Sequence, residues 1–188
     1  MRRILLATLG VLAGAAVLSA QEPDAKLEIR PFAGVSVPTG TQREVFNDAP
    51  IFGLQGAVEL KPNFHVVGSF GWVPGQNEFV LSSDNVNIYQ YDVGVELGLV
   101  RRLGNWQFKP YLGLGGGART YAYEAAQLAD RTSFAGYSAL GSEFQLGRTA
   151  FRVEARENAI HFKSPIAGQD SKARNDVRLT AGVAYHFR

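Results

Sequence analysis

The segment that decides the fold is the C-terminal one, VRLTAGVAYHFR at residues 177–188. Side chains of an extended chain point alternately to its two faces, so every second residue shares a face. One face is apolar and ends in aromatic rings, and the other is small, polar or charged. The apolar face comprises Val177, Leu179, Ala181, Val183, Tyr185 and Phe187. Such a strand needs an apolar environment on one side and a polar one on the other.

The overall composition is that of a single folded domain. The chain has 188 residues, of which 46% are apolar and 21 are glycine, which is enough for a folded core. It lacks an apolar run as long as a membrane-spanning helix. Because there is no cysteine, disulfides, thiolate metal sites and cysteine nucleophiles are excluded. An oxidising compartment therefore poses no difficulty for this chain.

Residues 1–20 predict a secretory signal peptide. Two arginines precede an apolar stretch over residues 4–18, and small residues follow. We expect cleavage after Ala20, which leaves residues 21–188 as the mature domain, and the alternative is cleavage one residue earlier, because Leu18 stands where a small residue is preferred. Removing those two arginines from the 19 Lys and Arg leaves 17, equal to the 17 Asp and Glu. The mature chain is formally neutral, so its charge gives no argument for a nucleic-acid partner.

Alternation with period 2 recurs along the mature chain and predicts eight strands, with almost no helix signals. The predicted strands are 27–37, 51–61, 64–73, 86–101, 106–123, 134–146, 150–162 and 177–187. Short turns and long loops alternate strictly between them. The short turns are 61–63, 103–105 and 146–149, and the long loops are 38–50, 74–85, 124–133 and 163–176. In an up-and-down arrangement all short turns lie at one end, which is the asymmetry of an outer-membrane barrel.

The glycines indicate which face of the strands points inward. A narrow lumen needs small residues where large side chains must find space, whereas an outer surface does not. A soluble barrel of the lipocalin type would instead bury the opposite, apolar face. The glycines that share one face are Gly34, Gly71, Gly94, Gly98, Gly113, Gly115, Gly117, Gly141 and Gly182. We expect this face to line the lumen, with Phe32 and Tyr137 as large exceptions on it, since the interior of an eight-stranded barrel is packed with side chains.

Charged residues share the glycine face and predict a charge network inside the barrel. A lipid-facing Arg or Lys at the membrane midplane costs about 2–4 kcal/mol, so these residues must face each other. The predicted network is Glu28, Arg30, Glu59, Lys61, Asp92, Glu96, Lys109, Arg119, Glu143, Arg152, Glu154, Arg156 and Arg178. We favour a structural role, in which paired charges plug the lumen and fix its register. The alternative is a gate or narrow water path, to be tested at Glu96, Lys109, Arg119, Glu143 and Arg156.

Aromatic residues mark the two ends of the apolar face. Phe64 and Trp72 are eight steps of about 3.3 Å apart, roughly 26 Å, which is close to the lipid-facing band of about 25 Å. The girdle at the loop end is Phe52, Phe70, Trp72, Tyr89, Tyr91 and Phe134. The girdle at the turn end is Phe64, Trp106, Phe108, Phe144 and Phe151, with Tyr185 and Phe187 beside it. Two such girdles predict that the apolar face contacts lipid.

With these features the chain resembles the small outer-membrane β-barrels of the OmpA/OmpX type. The resemblance rests on the signal peptide, the eight alternating strands and the terminal AGVAYHFR with its alternating aromatics. It implies an all-β, eight-stranded antiparallel up-and-down transmembrane barrel in the outer membrane of a Gram-negative bacterium. It also implies that Tyr185 and Phe187 belong to the signal that the barrel-assembly machinery reads.

The seventh predicted strand departs from the pattern. Its lipid face continues from Ala155 to Glu157, whereas Ile160 and Phe162 fall on the lumen face. We expect either a β-bulge near Glu157 or Asn158, which would restore the register, or a strand that has already left the membrane there.

Two patterns that could bind a ligand have structural explanations. Residues 113–118 match G-x-G-x-x-A, but a dinucleotide site needs a helix next and the following residues alternate instead. We therefore assign this segment to lumen packing. His65, His161 and His186 are expected at different heights of different strands, so we predict no metal site shared by them and no cofactor.

One pair of residues could carry catalysis. His161 and Ser164 resemble in part the Ser-His-Glu site of lipid A deacylases, which are eight-stranded outer-membrane barrels. The spacing departs from the pattern of that family, and three steps along a strand place two side chains on opposite faces. We therefore predict no catalytic residues.

The sequence predicts a non-enzymatic outer-membrane barrel with a structural or surface-interaction role. Its expected partners are outer-membrane lipids and lipopolysaccharide, the assembly machinery during biogenesis, and an external partner bound through the four long loops. The first alternative is a narrow gated channel for small or hydrophobic solutes. A lipid-modifying enzyme is the second alternative.

Overall fold

The computed structural model describes residues 26–39, 48–76, 85–123, 130–162 and 172–187, and every regular element in these ranges is a β-strand. The strands are β1 (Lys26–Thr39), β2 (Ala49–Lys61), β3 (Phe64–Gln76), β4 (Asn85–Gly98), β5 (Arg101–Leu103), β6 (Trp106–Tyr123), β7 (Arg131–Leu146), β8 (Thr149–Phe162) and β9 (Lys172–His186). Within these ranges no helix is long and apolar enough to cross a membrane.

The strands close into an antiparallel barrel. Strands adjacent in sequence pair with each other, except that β4 and β5 both pair with β6, and β1 pairs with β9. β4 and β5 pair with successive parts of β6 and together occupy one strand position in the sheet. The nine strands therefore make an eight-stranded barrel. The predicted fold class, an eight-stranded antiparallel up-and-down barrel, is confirmed. Closure leaves no free sheet edge, which is what a membrane-spanning sheet requires.

The fourth predicted strand, 86–101, is interrupted at Leu99 and Val100. The backbone N–H of Leu99 donates to the carbonyl of Pro110 over 2.9 Å, but proline has no N–H to return the bond. The ladder therefore loses one rung, and strand pairing resumes at Arg101 opposite Phe108. The register is the same on both sides of the gap.

The three short turns are confirmed, and each contains one residue in the left-handed region. These residues are Asn63, Gly104 and Gly147, with φ of 69°, 63° and 65°. The strands extend further than predicted at the loop end, where β9 begins at Lys172 rather than at residue 177. The centres of the four long loops lie outside the described residues.

The two faces of each strand lie in different surroundings, as β8 shows. Arg152, Glu154, Arg156 and Asn158 are buried, whereas the residues between them are exposed. The outward apolar side chains include Leu112 and Leu114, each 62% exposed, and Phe134, 78% exposed. All the predicted girdle residues are exposed or half-buried, and none is buried.

Inward glycines make room for three inward rings. A Cβ at Gly94 or Gly115 would collide with Tyr137, and one at Gly141 would collide with the ring of Tyr111. The ring of Phe32 lies against Gly53 in the same way. The outward Gly56, in contrast, would place its Cβ in open space. The glycine-rich face therefore lines the interior because large rings occupy the space that the glycines leave.

The irregular register lies elsewhere than predicted. β8 pairs with β7 and β9 without a shift past Glu157 and Asn158, so the proposed bulge there is wrong. Glu157 stays on the outer face and Asn158 on the inner face. A register shift occurs instead in β2, between Glu59 and Lys61. This shift carries Lys61 out of the lumen to an exposed position.

Candidate functional site: the charged interior

The interior of the barrel contains a network of buried acids, bases and amides in two connected halves. The loop-side cluster is Gln90, Asp92, Arg119, Arg156, Asn158, Asp176 and Arg178, all buried. The turn-side cluster is Glu28, Arg30, His65, Glu96, Lys109, Glu143, Arg152, Glu154 and His186, of which all but the half-buried His186 are buried. A buried charge is stable only if it is paired and hydrogen-bonded, so the geometry of each half decides what it can do.

The loop-side cluster is built around Asp92. Arg119 Nη1 donates to Asp92 Oδ1 over 2.6 Å, and Arg156 Nη1 and Arg178 Nη2 each lie 3.2 Å from Oδ2. Strand β4 supplies the carboxylate, whereas β6, β8 and β9 supply the guanidinium groups. One carboxylate thus holds three arginines from three strands together.

Neutral amides complete this cluster. Asn158 Oδ1 accepts from Arg119 over 2.8 Å and from Arg178 over 2.9 Å. Its Nδ2 donates to Asp176, and Arg178 also donates to Gln90. Three arginines surround one carboxylate, and the amide oxygens accept the hydrogen bonds that this carboxylate cannot. The amides do so without adding a charge.

The turn-side cluster is joined by Glu96, whose two oxygens bind two arginines. Oε1 lies 2.5 Å from Arg152 Nη2, and Oε2 lies 2.8 Å from Arg30 Nη1. Since β4 is a neighbour of neither β1 nor β8, both contacts cross the lumen. Arg30 also binds Glu28 Oε2, and Arg152 binds Glu143 Oε2 over 3.2 Å. The guanidinium groups of Arg30 and Arg152 therefore form ion pairs with several carboxylates.

Aromatic rings support the arginines between the two halves. Arg152 lies 3.8 Å from the centroid of the Tyr111 ring, and Arg156 lies 4.0 Å from that of Tyr137. The hydroxyl of Tyr111 donates to Glu154 Oε2 over 3.0 Å. Arg156 connects the halves, because its Nη2 lies 2.8 Å from Glu154 Oε1 while its Nη1 faces the loop side. Ring faces attract cations, so these rings hold the guanidinium planes in place.

At the turn end the interior opens into a cavity of about 380 Å³. The residues that line it include Glu28, His65, Lys109 and His186, together with the rim residue Arg148. Deeper inside, beside Arg30 and Arg152, the free volume is about 10 Å³, roughly the space of one water molecule. The cavity therefore ends at the turn-side cluster.

His65 has two competing partners. Its Nε2 lies 3.1 Å from Lys109 Nζ and 3.2 Å from Glu28 Oε1. One ring nitrogen cannot accept from a lysine and donate to a carboxylate at the same time. One of these two groups therefore lacks its hydrogen bond to His65 at any moment.

Two members of the predicted network lie outside it. Lys61 is exposed because of the register shift in β2. Glu59 is half-buried at the rim and pairs with Lys26 over 3.1 Å. The other predicted charges are buried inside the barrel.

The expected separation of the histidines is wrong for one pair. His65 and His186 lie at the same end of the barrel and both contact Glu28, through 3.2 Å and 3.1 Å. His65 is at the start of β3 and His186 is at the end of β9, and both of these strand ends lie at the turn end of the barrel. The side chain of His161 is not among those described, and Ser164 lies outside the described residues.

Several interior polar residues were missed, although a signal was present. Gln90, Asn158 and Asp176 each stand two residues from a predicted lumen charge in the same strand. Strand parity alone would have placed them inside. Counting amides with the charges was needed, as was extending β9 to include residue 176. Residues 113–118 lie within the continuous strand β6, so the glycines of this segment belong to the barrel wall.

The interior holds paired charges, and the architecture of the barrel has known counterparts. A model of the outer membrane protein beta-barrel domain matches residues 4–187. The chain belongs to this family. The description of the family places its members in the outer membrane, and the closed barrel of this chain agrees with it. No curated protein sequence matches the chain significantly.

Solved structures support the same fold. The Neisserial surface protein A is similar at 12% identity and a TM-score of 0.63, over 87% of this chain and 97% of that one. OprG from Pseudomonas aeruginosa is 15% identical at a TM-score of 0.56, over 87% and 96%. The N-terminal barrel of Pseudomonas aeruginosa OprF is 12% identical at 0.55, over 86% and 97%. At these identities the likeness concerns the fold alone.

Proposed function

We propose that this family member is a closed, non-catalytic barrel of a Gram-negative outer membrane, with a structural or surface-interaction role. The observation that carries the proposal is the pairing across the lumen of Glu96 with Arg30 and Arg152. A solute that passed this level would have to separate buried ion pairs. Breaking a buried pair costs about 3–5 kcal/mol, because it leaves a charge without its partner.

The outer face supports residence in a membrane. Apolar side chains cover the middle of the barrel, and aromatic pairs such as Phe52 with Trp72 and Phe108 with Phe144 lie towards its two ends. Tyr185 and Phe187 contact each other with ring centroids 4.9 Å apart, on the exposed face of the last strand. We propose that these two residues are read by the assembly machinery, and that lipids and lipopolysaccharide cover the outer face.

Single-channel recording tests whether the barrel is closed. Mature protein would be refolded into a planar lipid bilayer, with a heat-dependent shift in gel mobility as the control for folding. We expect no discrete current steps from folded wild-type protein. Steps that change when Glu96→Gln or Arg119→Ala is introduced would contradict the proposal and establish a gated pore.

Loop replacement tests the surface-interaction role. Each segment between two strands at the loop end, 40–48, 77–84, 124–130 and 163–171, would be replaced by a shorter Gly-Ser linker so that the strands are kept. Adhesion of whole cells to host or bacterial surfaces would be compared with that of cells carrying the intact barrel. We expect at least one shortened loop to reduce adhesion while the amount of folded barrel stays constant. Unchanged adhesion with all four loops shortened would leave the structural role alone.

A further inference from the structure

We propose that Glu28, Glu143 and His186 form a site for a divalent cation of the zinc class, at the floor of the turn-end cavity. The two carboxylates and the imidazole converge so that one ligand atom from each lies within 4.8 Å of the others. Glu28 Oε1 lies 3.1 Å from His186 Nδ1. Zinc bonds of about 2.0–2.2 Å to oxygen and nitrogen place neighbouring ligand atoms about 3.3 Å apart. Nδ1 of His186 faces Glu28 and Nε2 faces Glu143, so the imidazole ring or one carboxylate must turn for a single ion to contact all three groups.

The second carboxylate has a free oxygen. Glu143 is fully buried, and its Oε1 has no hydrogen-bond partner among the described residues. His186 Nε2 lies 3.3 Å from this oxygen, but neither atom makes a hydrogen bond. A buried carboxylate oxygen that lacks a donor is costly, and a bound cation would remove that cost.

The other carboxylate oxygens are already fixed by arginines. Glu28 Oε2 accepts from Arg30 Nε over 2.8 Å, and Glu143 Oε2 lies 3.2 Å from Arg152 Nη1. Each carboxylate therefore directs its Oε1 towards the site and holds it there through its Oε2. Metal-binding carboxylates are commonly oriented by such outer hydrogen bonds.

A cation would also resolve the competition at His65. With an ion on Glu28 Oε1, that oxygen no longer needs a proton from His65 Nε2. His65 Nε2 can then accept from Lys109, which lies 3.1 Å away. Lys109 would then donate to His65, and the ion would bind Glu28, so the two groups would no longer compete for one ring nitrogen.

The cavity supplies access and the remaining ligands. Glu28 and His186 line the 380 Å³ space at the turn end, so an ion and water molecules can reach them. Three protein ligands leave a fourth position for water, and imidazole with carboxylates suits zinc better than magnesium or calcium. Binding requires one unprotonated nitrogen on His186, so a proton leaves the ring when it is doubly protonated.

Zinc titration of the refolded protein tests the proposal. Protein freed of metal with EDTA would be titrated with Zn²⁺ alone by calorimetry, and bound zinc would be counted by elemental analysis. We expect one zinc per chain, and at least a tenfold weaker affinity in His186→Asn and in Glu143→Gln. Asp176→Asn removes a buried carboxylate on the loop side and should bind as the wild type does. Gel mobility checks that each variant is folded.

Cobalt gives a second readout that does not depend on variants. Co²⁺ bound by three protein ligands and water should give visible absorption that zinc abolishes by displacement. Failure of the wild type to bind either ion with 1:1 stoichiometry would overturn the proposal. Binding that survives both His186→Asn and Glu143→Gln would also overturn it. Neither result depends on whether the barrel conducts.

Discussion

The loop-side and turn-side clusters contain the same residue types but pair them differently. On the loop side, Asp92 binds three arginines and Asn158 fills the gaps between them. On the turn side, two arginines serve several carboxylates, Glu143 keeps an unpaired oxygen, and a cavity reaches the cluster. In the loop-side cluster the buried side-chain atoms without a hydrogen bond are two donors, Nε of Arg119 and Nε of Arg178, which cannot bind a cation. A network with spare acceptors beside water has capacity for a ligand.

Removing the centre of the loop side should have the largest effect. Asp92→Asn leaves three buried arginines without their shared carboxylate, so we expect a loss of about 3–5 kcal/mol in the free energy of unfolding. Urea titration of protein refolded into lipid vesicles measures it. Asp48→Asn, at an exposed aspartate before β2, serves as the matched control. Equal, small losses in both variants would show that the three arginines do not depend on Asp92.

The equivalent change on the turn side should cost less. In Glu143→Gln, Arg152 keeps Glu96 and Glu154 as partners, so we expect a loss of about 1–2 kcal/mol. The same urea titration, in zinc-free buffer, gives the comparison. A loss as large as that of Asp92→Asn would mean that the two halves are equally dependent on each carboxylate.

A pair of tyrosine variants separates the hydrogen bond from the ring. Tyr111→Phe loses its hydrogen bond to Glu154 but keeps the ring beneath Arg152, so we expect about 1 kcal/mol of destabilisation. Tyr137→Phe keeps the ring beside Arg156 and loses no hydrogen bond among the described residues, so its effect should be near zero. Identical unfolding midpoints for the two variants would argue against a role for the Tyr111 hydroxyl.

Among the charged residues, the rim should show the smallest effect. Glu59 pairs with Lys26 at the edge of the cavity, where the lysine side chain is 64% exposed. Such pairs contribute about 0–1 kcal/mol and are screened by salt. We expect Glu59→Gln to shift the unfolding free energy by no more than this, and raising the salt concentration to abolish the difference. A larger loss that persists in high salt would place Glu59 within the buried network.

Most of the fold could be predicted because strand parity is a local property. The alternation of Val177 to Phe187 indicates a lipid face in any barrel, and the turns at Asn63, Gly104 and Gly147 follow from their own residues. The register shift in β2 could not be predicted, since nothing in the sequence around Lys61 marks it. The same is true of contacts across the lumen, which depend on the closure of the whole sheet.

The interior charges could be assigned to a face, but their partners could not. Arg30 and Glu96 are 66 residues apart, and strand parity says nothing about the height at which they meet. The error over His65 and His186 has the same origin. His186 comes to lie beside Glu28 only when β1 pairs with β9, and His65 reaches the same carboxylate from β3, on the far side of β2.

A double-mutant cycle at Glu96 and Arg152 tests the central claim most directly. The claim is that ion pairs across the lumen block the interior of the barrel. Unfolding free energies would be measured for Glu96→Gln, Arg152→Gln, the double variant and the wild type. Contacting residues give coupling energies of about 0.5–3 kcal/mol, and for a 2.5 Å buried pair we expect a value above about 1.5 kcal/mol. Losses that add to within about 0.5 kcal/mol would contradict the claim, because they would mean that the two side chains do not interact across the lumen.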